Sequence, residues 1–229
     1  MSYLIALIGA LSLLLAGTAR ADFDEGVTAY LQGDYDFAYD ELRPLATQGN
    51  AKAQFIMGRM YANGTPVRKS DTEAVRWYRL SAEQGYSAAQ DSLASMYFYG
   101  YGVPQDYLQA VGWWQKAGEQ GHSDAQAKLG YIYLNGKEIG RDEEKAAKWF
   151  RMAAEHGHMD AQQNLGLLYA SGKGVARDYV SAYVWWSQAR DQGSNMAAGN
   201  LRLLMPLMSE AEISKARNLV DEQRRQKID

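Results

Sequence analysis

Cysteine is absent from this chain of 229 residues. That excludes thiolate nucleophiles, cysteine-ligated zinc, any disulfide framework and a lipid-bearing cysteine, so the fold must be held by packing alone. No sign of charge dominates either: 24 basic and 27 acidic residues leave a net charge of −3. Without a basic face to neutralise phosphates, nucleic acid is not an expected partner. The run Arg224, Arg225, Lys227 reads as a solvated helix end, favourable to the helix dipole. Catalytic signatures are missing as well. No serine is followed three residues later by lysine, none sits in G-x-S-x-G, and the three histidines form no H-E-x-x-H. Between Gly166 and Gly172 lie five residues instead of the four of a phosphate loop, and Lys173 is followed by Gly174. His122, His156 and His158 have no cysteine or dense carboxylate group beside them, so neither a metal site nor a cofactor is expected.

Long apolar runs are also scarce, and the one present is Tyr3 to Ala16. It is followed by Gly17, Thr18, Ala19, Arg20 and Ala21, in which Ala19 and Ala21 form an A-x-A cleavage site. Residues 1–21 therefore read as a signal peptide, and the mature chain is expected to start at Asp22 in the periplasm or outside the cell. No lysine or arginine precedes the run. The alternative is an uncleaved anchor, but the run falls short of the roughly 20 apolar residues that span a bilayer. Once cleaved, the chain would have no membrane span.

What the chain has in quantity is internal repetition. Glycines stand at 49, 85, 121, 157 and 193, each 36 residues from the last. Four residues on come Ala53, Ala89, Ala125, Ala161 and Ala197; eight on, Met57, Leu93, Leu129, Leu165 and Leu201; twelve on, Tyr61, Tyr97, Tyr133, Tyr169 and, in the last copy, Met205. At about 100° per residue these offsets share one side of a helix. A second helix follows, with Ala74, Ala110, Ala146 and Ala182, then Trp77, Trp113, Trp149 and Trp185, beside Tyr78, Trp114, Phe150 and Trp186. Small residues set against large ones are the pattern of close helix packing, which makes the aromatic columns core and not ligand sites.

Gly64, Gly100, Gly136 and Gly172 stand where a left-handed residue should close the first helix. Ser70, Asp106, Asp142 and Asp178 then read as N-caps of the second, with Ser70/Glu73 and Asp106/Gln109 at capping-box spacing. Each of these aspartates has a local structural role, which leaves none to assign to catalysis. After Gly193 a fifth first helix starts at Asn195 and is broken by Pro206. Ser209 to Gln226 reads as a closing helix, with Ser209 and Glu212 as its capping box.

The pattern A…LG.MY..G.GV..D…A..W…AA..G resembles the Sel1-type repeat, a relative of the tetratricopeptide repeat. The fourth unit carries it in Ala161, Leu165, Gly166, Tyr169, Gly172, Gly174, Val175, Asp178, Ala182, Trp185, Ala189 and Gly193. Pro66 and Glu138 depart from it at the second loop glycine. The resemblance implies an all-α, right-handed α-solenoid of antiparallel helix pairs. Residues 22–48 would form a tetratricopeptide-like N-terminal pair, 49–192 four 36-residue repeats, and 193–229 the C-terminal capping helices with the polar end that a solenoid requires.

By the same resemblance the first helices line the concave surface, and the expected function is that of a monomeric, non-catalytic scaffold for a protein or peptide. The alternative is a cell-wall enzyme or enzyme modulator acting on peptidoglycan or β-lactams, disfavoured by the missing cysteine and S-x-x-K. Offsets 3, 6, 10, 13 and 14 from each glycine form the stripe opposite the buried face. Phe55, Arg59, Phe98, Tyr99, Tyr131, Leu134 and Leu167 occupy it. Exposed aromatics and arginine are the residue types that anchor interfaces. Phe98, Tyr131 and Leu167 are expected to share one groove.

Overall fold

The computed structural model describes residues 23–136 and 139–226, so the signal segment, the Glu138 loop position and Lys227 lie outside the described residues. Helix α1 runs through residues 23–32. It is followed by α2 (Tyr35–Thr47), α3 (Ala51–Asn63), α4 (Asp71–Glu83), α5 (Ser87–Tyr99), α6 (Tyr107–Glu119), α7 (Ser123–Asn135), α8 (Glu143–Glu155), α9 (Met159–Ser171), α10 (Tyr179–Asp191), α11 (Asn195–Leu204) and α12 (Glu210–Gln226). No strand occurs among the described residues.

The chain divides after Ala110 into two compact units. In the first, α2 packs on α3, α3 on α4 and α4 on α5. Its core is built from Ala38, Leu42, Ala46, Ala53, Met57, Met60 and Trp77. In the second, α7 packs on α8, α8 on α9, α9 on α10, and α10 on both α11 and α12. Around α10 the core comprises Ala182, Tyr183, Trp186, Ala197, Leu201, Leu204, Ala216 and Val220.

The boundaries follow from capping. The loop glycines 64, 100, 136 and 172 are all left-handed, and each N–H returns to a carbonyl of the last turn, as in Gly172 to Leu168 at 2.8 Å. Second helices start where an Asp or Ser side chain accepts an amide: Ser70 from Glu73 at 3.2 Å, Asp106 from Gln109 at 3.0 Å, Asp142 from Lys145 at 2.9 Å, Asp178 from Val180 at 2.9 Å. The Glu73 carboxylate meets Arg76 instead of returning to the cap. First helices use a more varied set of caps. Asn50 and Ser194 accept in the ordinary way, whereas His122 Nδ1 and His158 Nδ1 accept from the Ala125 and Ala161 amides at 3.4 and 3.3 Å. The junction histidines are therefore helix caps. At the C-terminal end Pro206 sits in a 3-10 turn, Met205–Leu207, and Ser209 and Glu212 form a reciprocal capping box at 2.8 and 3.3 Å.

The pairing of small and large side chains is literal. A Cβ on Gly58, Gly130 or Gly166 would lie 2.5–2.6 Å from the rings of Tyr78, Phe150 or Trp186. The first helices α3, α7 and α9 thus offer a bare backbone seat to the aromatic of their own partner helix, where α5 has Ala94. Trp186 anchors itself further by donating its indole N–H to the Gln163 carbonyl at 2.9 Å. The other aromatic column turns to the preceding repeat, where Trp149 packs on Gly118.

Candidate functional site

Facing the core, one column carries polarity that the sequence analysis passed over. Gln54, Gln90, Gln126 and Gln162, five residues after the junction glycines, are buried and donate Nε2 to the carbonyls of Ala46, Ala82, Gly118 and Ala154 at 2.8–3.1 Å. Each stitches a first helix to the end of the second helix before it. The Gln162 Oε1 in turn accepts from Gln192 at 2.8 Å, and Gln54 Oε1 from Gln84 at 2.7 Å. A glutamine repeated four times on a buried face was the available signal. The tyrosine column is similarly tied, accepting from Arg79 at Tyr97, Gln115 at Tyr133 and Arg151 at Tyr169 at 2.9–3.2 Å. These polar groups are engaged in holding repeats together.

The opposite stripe behaves differently, and its seven expected residues fall into two sets. At offsets 10 and 14, Arg59, Tyr99, Tyr131 and Leu167 are exposed. At offsets 6 and 13, Phe55, Phe98 and Leu134 are half-buried. At about 100° per residue, offset 10 lies directly opposite the core arc and offset 13 at the edge of the stripe nearest it, while offsets 6 and 14 stand equally far from it, so that burial there is set by the neighbouring side chains. Phe55 accordingly packs edge-on against Tyr86 at 5.3 Å and tilted against Tyr78 at 5.9 Å, and Arg59 lies over the rings of Tyr30 and Phe55 at 5.4 and 6.0 Å.

In the second unit the offset-10 column is apolar in three successive first helices. Tyr131, Leu167 and Leu203 on α7, α9 and α11 are 36, 50 and 74% exposed. Met196 and Leu207, at offsets 3 and 14 of the fifth copy, are exposed beside them. Those three residues of α11 and its following turn were not expected, because the stripe was read only in the copies with full repeat signatures; the same offsets applied once more would have found them. Neighbouring first helices are tied across this face: Asn164 donates to the Tyr131 hydroxyl at 2.9 Å, and Gln163 reaches Met196 Sδ at 2.9 Å. Burial, with the nearby Asp160 carboxylate next, pushes the Tyr131 phenol up against the lowering effect of that Asn164 bond, so it stays a neutral acceptor.

Among the described residues no cluster of His, Asp and Glu converges to hold a metal ion, and no helix is long and apolar enough to cross a membrane. The histidine nearest a carboxylate, His158, directs Nε2 at Asp124 at 3.4 Å while its other nitrogen caps α9. An apolar, partly aromatic face with amide groups between its rows can bind a chain segment.

Comparison with known proteins agrees with this architecture. The Sel1 repeat family model matches residues 51–86, 87–122, 123–158 and 160–194. A protective antigen of uropathogenic Escherichia coli that displays an SLR fold is 33% identical, with a TM-score of 0.81 over 91% of this chain and 46% of the antigen. A Sel1 repeat protein from Oxalobacter formigenes is 37% identical, with a TM-score of 0.70 over 74% of this chain and 49% of that one. The chain thus spans about half the length of these two relatives. A Sel1 repeat protein from Klebsiella pneumoniae, 22% identical with a TM-score of 0.54 over 83% of this chain and 94% of that one, shares the fold. No curated protein matches. Proteins built from these repeats are typically protein-interaction scaffolds and generally non-catalytic. With four matched repeats whose helices and loop glycines keep one register, the chain belongs to the Sel1 repeat family.

Proposed function

We propose that the protein is an exported, non-catalytic scaffold that acts as a monomer and holds a protein or peptide partner on the outward stripe of its first helices. The observation that carries this is the exposed apolar column Tyr131, Leu167 and Leu203, with Met196 and Leu207 exposed beside it. Exposed apolar groups in a continuous row on a folded surface mark interaction sites. Leu134 flanks the row, and in the first unit the corresponding stripe of its own first helices carries Phe55 with Arg59, and Phe98 with Tyr99. Export rests on the leader-like residues 1–21 and is in keeping with the description of the Escherichia coli relative as a protective antigen.

The test is capture from a periplasmic extract with the chain as bait, run beside a Leu167→Ser/Leu203→Ser variant. Loss of the captured partner with an unchanged melting temperature supports the stripe. Undiminished capture would remove it, and a large fall in melting temperature would assign both leucines to the core. Cell fractionation with N-terminal sequencing should return a chain that starts at Asp22.

A further inference from the structure

The second repeat differs from its siblings in where it carries cations and rings. No Lys, Arg or His stands between Arg79 and Lys116, whereas Glu83, Asp91 and Asp106 do. In the fourth repeat the corresponding loop holds Lys173 and Arg177, and the Arg177 guanidinium lies over Tyr179 at 5.7 Å. In the second repeat those positions are Tyr101 and Gln105, and the ring equivalent to Tyr179 is Tyr107. The amide of Gln105 turns away to the Phe98 carbonyl at 2.8 Å.

The result is an aromatic platform. Tyr99 and Tyr101 stack at 5.5 Å with 23° between their planes and are 59 and 53% exposed. Phe98 supports them edge-on, 4.9 Å from Tyr99 and 5.2 Å from Tyr107. The loop that presents Tyr101 is fixed. Its amide bonds to the Met96 carbonyl at 3.0 Å, and Gly102, left-handed at φ +70°, sits so close to the Asp71 backbone that an added Cβ would lie 2.3 Å from its carbonyl oxygen. In the underlying segment Lys69 is paired with Asp71 at 3.8 Å. Elsewhere aromatic faces are covered by the protein's own cations, as at Tyr30, Tyr39, Trp113, Tyr133, Tyr169 and Tyr179. Among the described residues none lies over Tyr99 or Tyr101.

We infer that the Tyr99–Tyr101 platform receives an arginine or lysine side chain of the partner. This rests on the reading that the chain binds a protein, and it names the chemistry of that partner at this place. Ring faces attract a cation, Asp106 adds a carboxylate in the same loop, and a preorganised stack loses little freedom on binding. The platform thus pairs open ring faces with a stretch of chain, between Arg79 and Lys116, that carries carboxylates and no basic residue.

The test pans a random dodecapeptide library against the full chain and counter-selects on a Tyr99→Ala/Tyr101→Ala variant, both residues being exposed enough for the fold to tolerate the change. Peptides that prefer the parent should be rich in Arg or Lys. A synthetic one should lose roughly 5- to 30-fold in affinity on the double variant and similarly on replacing its arginine by citrulline. A Tyr99→Phe/Tyr101→Phe variant, which keeps both ring faces, should bind as the parent does. Discriminating peptides without a basic residue, indifference to citrulline, binding of choline but of no peptide, or no discriminating peptide at all would each overturn the inference. Peptides that depend on Leu167 and Leu203 but not on the tyrosines would overturn it while leaving the scaffold reading in place.

Discussion

At the scale of single residues, glycines in this protein do two opposite things inside helices. Gly130 is a seat: a methyl group there would meet the Phe150 ring at 2.5 Å, whereas at Gly112 in α6 nothing lies within 4 Å of an added Cβ. Since glycine costs a helix interior about 0.5–1 kcal/mol relative to alanine, Gly112→Ala should stabilise by that amount. Gly130→Ala should instead destabilise by about 1–3 kcal/mol through overpacking. Urea unfolding of both variants decides, and two changes of the same sign would refute the distinction. Trp149, buried at 8% exposure, should cost about 3–5 kcal/mol when replaced by alanine. A Trp149→Ala variant that melts like the parent would make that column a contact surface instead of core. The alternation of small and large residues was readable in the sequence because volume complementarity leaves a column signature. The glutamine column was equally periodic, but a polar residue on an apolar arc has meaning only once its hydrogen-bond acceptor is known.

Helices of 13 residues are marginal in isolation, so their ends matter. Asp178 shows how a cap becomes a dependence on pH. Burial opposes its charge, but hydrogen bonds from the Ser181 hydroxyl and from the Ser181 and Val180 amides outweigh that and hold the carboxyl below its usual range. A depressed native value means stabilisation that is complete above the unfolded value of about 3.9 and is lost as pH falls through the native one. The difference in melting temperature between the parent and Asp178→Asn should therefore hold steady near neutrality and shrink below about pH 4. A difference that persists in acid would show that the charge is not what stabilises α10. The aspartate caps were legible from spacing alone. The histidine caps were not, because an imidazole lone pair is a rare substitute for a hydroxyl or carboxylate, and only the 3.3–3.4 Å approach of the Ala125 and Ala161 amides identifies it.

For the whole chain, the period of 36 residues is what sequence conveys best, since every helix boundary from α3 to α10 repeats at that interval. The outward stripe was legible in direction but not in detail. Neighbouring helices and loops, more than angular position, separate the exposed Arg59, Tyr99, Tyr131 and Leu167 from the half-buried Phe55, Phe98 and Leu134. The Tyr101 platform lies in a loop outside any helical stripe and left no periodic trace. If each repeat buries its face only against its neighbours, excising residues 123–158 joins His122 to Met159 with cap and helix still in register. That deletion should leave a shorter folded protein by circular dichroism and thermal melting. Removing 18 residues, one helix of a pair, should abolish the cooperative transition, and equal folding of the two would contradict the repeat logic.

The hydrogen bonds described between repeats join residues 8 to 35 places apart along the chain. Ties this local leave each repeat to resist stretching mainly through its neighbours. Pulled from its ends, it should yield one repeat at a time, each release adding on the order of 120 Å of slack at about 3.3–3.6 Å per residue. A scaffold with that compliance could give way under load one repeat at a time while the repeats that hold the partner stay folded.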